Sequence, residues 1–132
     1  MNEDILNFQV SSNSTAKCCS IIMNWLTQKE YCHWLACLNP HSYVVSLNDV
    51  EFSQALAKAD LLIPDGVGVV IASKILGGSI SNRITGSDIF FELNNQMDAN
   101  GGSRVFFLGS TKDTLDLINN NMSKDYPNIT IA

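Results

Sequence analysis

Apolar positions along the chain switch repeatedly between two spacings, one suited to strands and one suited to helices. Leu6, Phe8 and Val10 alternate, which predicts a half-buried strand over residues 5–10. Beyond the polar run Ser11-Ser12-Asn13-Ser14, the residues Cys18, Ile21, Ile22, Trp25 and Leu26 fall at i, i+3, i+4, i+7 and i+8. That is one face of a helix capped by Ser14 or Thr15, with Trp25 in the core stripe. Residues 33–38 form a short, mostly apolar run of strand length that ends at Asn39-Pro40, where Asn caps a helix and Pro takes its first turn. A second helix start is predicted at Asn48, paired with Glu51 as a capping box. Its stripe is Phe52, Ala55, Leu56 and Ala59, and its end lies near Asp60.

Leu61-Leu62-Ile63 is too short for a helix and reads as a strand buried on both faces of a parallel sheet, stopped by Pro64-Asp65-Gly66. Helical spacing returns at Val67, Val70, Ile71 and Ile75 and ends at Gly77-Gly78. Residues 79–87 have no period and predict an ordered loop. A helix then starts at Ser87 or Asp88, carries Ile89, Leu93 and Met97, and closes at Asn100-Gly101-Gly102. Residues 105–108 predict the next buried strand. Gly109-Ser110-Thr111 leads into a helix with Leu115, Ile118 and Met122, capped by Ser110 with Asp113, and residues 129–132 begin a last strand. The alternation predicts an α/β fold: a Rossmann-like, mostly parallel sheet with helices on both faces. Because that last strand has no closing helix behind it, the chain is expected to be one domain, residues 1–132, truncated on its C-terminal side.

Composition narrows the function. The 132 residues are 45% hydrophobic and 16% charged, the balance of a chain that buries a core. A net charge of -5, with eight Lys and Arg scattered along the chain, argues against a nucleic-acid partner. Every apolar run is broken well short of the roughly 18 residues that a membrane span requires. The acidic start Met1-Asn2-Glu3-Asp4, with no apolar segment after it, predicts a cytoplasmic chain. Cys18, Cys19, Cys32 and Cys37 show no CxxC pairing and read as reduced thiols.

In open α/β sheets ligands gather beyond the carboxyl ends of the strands, where helix N-termini present free N–H groups. Three strand-to-helix loops meet that description. They nominate Cys37 and Asn39, Asp65 and Gly66, and Gly109 and Ser110 as ligand-facing residues. Asp65, a carboxylate directly behind a buried strand, suits a general base, with Gly66 and Gly68 admitting a ligand close to the backbone; its competing role is to cap the next helix. Arg83 offers forked donors to a diphosphate, the alternative being a surface salt bridge. No Asp-x-Asp occurs and neither His33 nor His41 has a neighbouring metal ligand in sequence, so no metal site is expected.

Four blocks carry a family resemblance: Asn39-Pro40-His41-Ser42-Tyr43, Pro64-Asp65-Gly66-Val67-Gly68-Val69-Val70, Arg83-Ile84-Thr85-Gly86-Ser87-Asp88, and Val105-Phe106-Phe107-Leu108-Gly109-Ser110. In order and spacing they resemble the WecG/TagA/CpsF glycosyltransferases. The resemblance implies inverting transfer of a hexosamine or hexose, N-acetylmannosamine in many members, from a UDP-sugar to an undecaprenyl-diphosphate-linked acceptor in cell-surface polysaccharide synthesis, with no cofactor or metal. It implies Asp65 as catalytic base, Arg83 as a basic residue of the site and Asn39 as a pocket residue, while Cys37 stands where many members have Thr. It also implies peripheral association with the inner face of the membrane through a longer C-terminal part, and it leaves self-association open.

Two other readings compete. One is a non-catalytic nucleotide-sugar-binding or assembly fragment of the same fold, whose UDP binding would not depend on Asp65. The other is a nicotinamide- or flavin-dependent protein, which would need a glycine loop after the first strand. Ser11-Ser12-Asn13-Ser14 supplies no glycine there.

Overall fold

A computed structural model of the chain describes residues 1–28 and 31–132. The chain is a mixed α/β protein that divides into two compact units, Met1–Ile89 and Phe90–Ala132.

The first unit opens with a hairpin where one strand was expected. β1 (Asn2–Ile5) and β2 (Phe8–Ser11) pair antiparallel with Ile5 opposite Phe8, which leaves Leu6 and Asn7 as a two-residue turn. Both have positive φ, 53° and 71°, the signature of a type I′ turn, whose twist matches the strands it joins. Asp4 steadies the turn by accepting from the Asn7 amide at 3.3 Å. The apparent alternation therefore crossed a turn: Phe8 and Val10 are buried, but Leu6 is exposed at its tip.

α1 (Thr15–Trp25) starts where expected, because the Ser14 hydroxyl accepts from the Lys17 amide. Cys18 and Cys19 are its buried residues. Trp25 is only half-buried, stacked on His33 with ring centroids 4.8 Å apart, so the expectation of a core tryptophan does not hold. β3 (Leu35–Leu38) then leads into α2 (Pro40–Ser46) and α3 (Val50–Ala57). The cap of α3 is Asp49, accepting from the Phe52 amide at 2.9 Å, and not Asn48, whose side chain turns back to the Val44 carbonyl.

β4 (Leu61–Pro64) pairs parallel with β3, from Leu35 opposite Leu61 to Leu38 opposite Pro64, and is buried along its whole length. That is the pattern expected of a strand covered on both faces. α4 (Val67–Ile75) follows, then the aperiodic loop, then α5 (Gly86–Asn100), within which the two units divide. The core of the first unit joins Ile5, Phe8 and Val10 of the hairpin to Leu38, Leu56, Leu62, Val69, Val70 and Ile80. β2 lies alongside β4, but the ladders are separate two-stranded sheets.

In the second unit, β5 (Arg104–Val105) pairs parallel with β6 (Thr130–Ile131), and α6 (Lys112–Asp125) lies between them in sequence. The expected buried strand over 105–108 is reduced to its first residue, because Phe106 and Leu108 are 68% and 91% exposed. α6 is capped by Thr111, which accepts from the Thr114 amide, and not by Ser110. Among the described residues no helix is long and apolar enough to cross a membrane.

Candidate functional site

The parallel pairing of β3 and β4 sets the site. Leu38 lies opposite Pro64, so the next residues, Asn39 and Asp65, leave the strand ends side by side, and the Asp65 amide donates to the Leu38 carbonyl at 2.8 Å. Asn39 caps α2 in a closed box: its Oδ1 accepts from the Ser42 amide at 2.8 Å, and its own amide donates to the Ser42 hydroxyl at 2.9 Å. Only a carbonyl oxygen can accept from the Ser42 N–H, so the capping box also fixes which way the Asn39 amide faces. Its NH2 group is left toward Asp65, with Nδ2 3.5 Å from Oδ2.

Asp65 does not cap the helix behind it. The cap of α4 is Gly66, with no side-chain bond to the helix, and the half-buried Asp65 carboxylate has Asn39 as its partner among the described residues. Gly66 holds φ 107° and ψ 151°, a conformation closed to residues with a Cβ, and this lets the chain turn from β4 into α4. The expectation that Gly68 admits a ligand is corrected. A Cβ there would stand 2.6 Å from Pro40 Cγ, so Gly68 provides room for the first turn of α2 to pack against α4.

Cys37 is half-buried beside this pair. A Cβ on Gly86 would lie 3.7 Å from its sulfur, which also receives the Gly86 amide. Burial pushes the Cys37 thiol pKa up, and the nearby Asp65 charge adds to this, so it stands in the site as a neutral thiol. The loop carrying Arg83 is tied to the same strand end, the Ile84 amide donating to the Pro64 carbonyl at 2.8 Å. The Arg83 side chain is exposed and has no carboxylate within 4.0 Å among the described residues. The site thus gathers Cys37, Asn39, Asp65 and Gly66, with Arg83 on the adjoining loop. Gly109 and Ser110 belong to the second unit, where they form the exposed turn between β5 and α6 with φ of 107° and 69°.

One feature escaped the sequence pattern. A cavity of about 400 Å³ is bounded by Ser11, Ser12, Asn13, Ser14 and Thr15 on one side and by residues 79–84 on the other, with Pro64 between them. Its only sequence signal was the density of Ser and Asn in two segments that looked like plain loops. No group of three or more metal-ligating side chains occurs among the described residues.

The model of the WecG/TagA/CpsF glycosyl transferase family matches residues 3–132. The chain belongs to that family. Among similar proteins is the N-acetylglucosaminyldiphosphoundecaprenol N-acetyl-beta-D-mannosaminyltransferase of Bacillus spizizenii, 34% identical over 94 residues, which are 71% of this chain and 36% of the relative. The enzyme of the same name from Bacillus subtilis is 31% identical over 98 residues, 74% of this chain and 38% of its own length. That from Staphylococcus aureus is 28% identical over 94 residues, 71% and 37%. The matched region is thus a little over a third of each relative's length.

Within this member of the family, the Arg83-x-x-Gly86-x-Asp88 block divides into two jobs. Asp88 closes the first turn of α5: its Oδ2 accepts from the Thr85 amide and hydroxyl, each at 2.8 Å, and its own amide donates to the Thr85 hydroxyl at 3.1 Å. The Thr85 amide, then its hydroxyl, hold the Asp88 pKa below the ordinary carboxylate value, with the Arg83 charge adding least. Asp88 is therefore occupied by the helix cap, and Arg83 remains free for a ligand.

Proposed function

We propose that the chain carries the acceptor-activating centre of a transferase that moves N-acetylmannosamine from a UDP-sugar to an N-acetylglucosamine linked through diphosphate to undecaprenol. What supports this most is the half-buried Asp65 carboxylate at the carboxyl ends of two parallel strands, facing the Asn39 amide and free of any capping role. Asp65 takes the proton of the acceptor hydroxyl as its oxygen attacks the anomeric carbon. The new carbon–oxygen bond forms as the bond from that carbon to the UDP phosphate oxygen breaks, and the electron pair leaves on UDP. This single displacement inverts the anomeric configuration. Asn39 orients the carboxylate through Nδ2, and Arg83 supplies positive charge to diphosphate oxygens.

The parallel β3–β4 pair is, in this proposal, part of a Rossmann-like, mostly parallel sheet with helices on both faces. A polyprenyl acceptor places the work at the inner face of the cell membrane. The test is the rate of transfer from UDP-N-acetylmannosamine to a short-chain polyprenyl diphosphate N-acetylglucosamine. Asp65→Asn is expected to lower it by about 10²–10⁴-fold while UDP binding holds. An Asp65→Asn variant that transfers at the parent rate would remove Asp65 as the base.

A further inference from the structure

The cavity of about 400 Å³ between residues 11–15 and residues 79–84 lies within the size range of sites for small ligands. Its lining has a distinct chemistry. Ser11, Ser12, Asn13, Ser81 and Asn82 contribute hydroxyls and amides that both donate and accept, and Arg83 is the only charged residue among the lining. Among the described residues no aromatic ring lines it, so a planar base finds nothing to stack on. No carboxylate of the described residues lines it either, and Asp88, the acid that feels the Arg83 charge, is held in the cap of α5.

Both walls are anchored. On one side, Ser14 caps α1 through the Lys17 amide, and the Asn13 side chain donates to the Ser11 hydroxyl at 3.0 Å. On the other, Glu3 accepts from the Ser79 amide at 2.7 Å and from the Ser79 hydroxyl, while the Ile84 amide holds the Pro64 carbonyl. Walls fixed in advance reduce the ordering that binding would otherwise require. Pro64, which closes the cavity between them, is the residue before Asp65.

We propose, resting on the transferase function above, that this cavity is the subsite for the acceptor headgroup, an N-acetylhexosamine carrying a phosphate or diphosphate. The pyranose hydroxyls and acetamido group meet the Ser and Asn lining, the phosphate oxygens meet Arg83, and the donor's uridine binds elsewhere. Thr15 and Ser81 become specificity-determining residues, because the Thr15 hydroxyl is uncommitted and Ser81 only accepts from Asn82.

The test is an amide NMR titration of the full chain with N-acetylglucosamine 1-phosphate and, separately, with UDP. The sugar phosphate is expected to move signals of residues 11–15 and 79–82, and UDP to leave those in place, since only Arg83 is shared with the UDP diphosphate. Thr15→Val and Ser81→Leu, each first shown to keep the parent's dispersed spectrum, should weaken the sugar phosphate about tenfold and spare UDP. Two variants are used so that a folding failure in one leaves the other to decide. Sugar-phosphate shifts confined to other residues, signals of residues 11–15 and 79–82 that follow UDP, or parent-like affinity in the folded variants would each overturn the subsite. Binding of UDP without binding of the sugar phosphate removes the subsite alone. Binding of neither removes the transferase function with it.

Discussion

The first unit, Met1–Ile89, encloses a continuous cluster of aliphatic and aromatic side chains, whereas the second, Phe90–Ala132, buries few of its own. In the first, β4 is buried from end to end and every residue of the β3–β4 ladder has a partner. In the second, the β5–β6 ladder is two residues long, Phe106 and Leu108 face outward, and the buried Asn94 Oδ1 has no hydrogen-bond partner among the described residues. The two strand-to-helix turns differ in the same way. Gly66 and Gly109 share a φ of 107°, but Gly66 sits against Asn39 and Pro40 while Gly109 has no atom within 4 Å of where a Cβ would stand. An apolar run becomes a buried strand only where a neighbouring strand takes up its hydrogen bonds, and a glycine turn becomes a site only where a second loop closes on it.

The widest separation between the units is expected from truncating one apolar side chain in each. Ile63 is fully buried in β4, and Ile63→Ala should cost about 2–5 kcal/mol through lost transfer energy and the cavity left behind. Leu108 is almost wholly exposed, and Leu108→Ala should stay within about 0.5 kcal/mol. Urea unfolding of both variants measures the contrast. Equal losses would mean that Leu108 is covered in solution.

The same contrast marks what was legible in the sequence. The block from Leu61 to Ile75 was clear because a short all-apolar strand, a Pro-Asp-Gly break and a helical period follow one another without overlap, and it brought Asp65 forward at a strand end, as the run over 33–38 did Asn39. β1 was hidden: Asn2-Glu3-Asp4 is polar, and only Ile5 of that strand enters the core. Two caps were missed by one residue, Asp49 for Asn48 and Thr111 for Ser110, since adjacent residues had equal capping chemistry and backbone geometry chose between them. The function of Gly68 was misjudged because its constraint, Pro40, is 28 positions away in sequence. The Ser- and Asn-lined cavity was invisible for a similar reason: its two walls are joined through Glu3 and Pro64, contacts that no local pattern encodes.

A smaller effect tests the close packing beneath the site. Gly68→Ala places a Cβ against Pro40, so the first turns of α2 and α4 must separate, at about 1–3 kcal/mol. Pro40→Ala in the same chain should recover much of that loss, seen as a coupling energy in a double-mutant cycle of unfolding free energies. Additive losses would place the strain elsewhere. Gly109→Ala makes the comparison in the second unit: its cost arises from the positive φ alone, and no neighbouring substitution should relieve it.

The smallest expected effect is a pH dependence confined to the first unit. The Ser79 hydroxyl holds the Glu3 carboxyl below its ordinary pKa; burial is the next largest influence and opposes it, and the Ser73 hydroxyl and the Ser79 and Ile80 amides add to the lowering. A pKa lowered in the folded chain means that the folded state binds its proton less readily than the unfolded state does. The stabilisation is therefore complete above the ordinary glutamate value, about 4.3, and is lost as pH falls through the lower folded value. Glu3 is solvent-accessible, so the effect is modest, and it should be local. Acidification should lower the hydrogen-exchange protection of the Ser79 and Ile80 amides, measured against the intrinsic rate at each pH, before that of the Ile63 amide responds. Glu3→Gln should leave the protection of the Ser79 and Ile80 amides low at neutral pH and nearly independent of acid. If those amides keep the parent's pH profile in Glu3→Gln, the carboxylate does not hold the wall of the cavity.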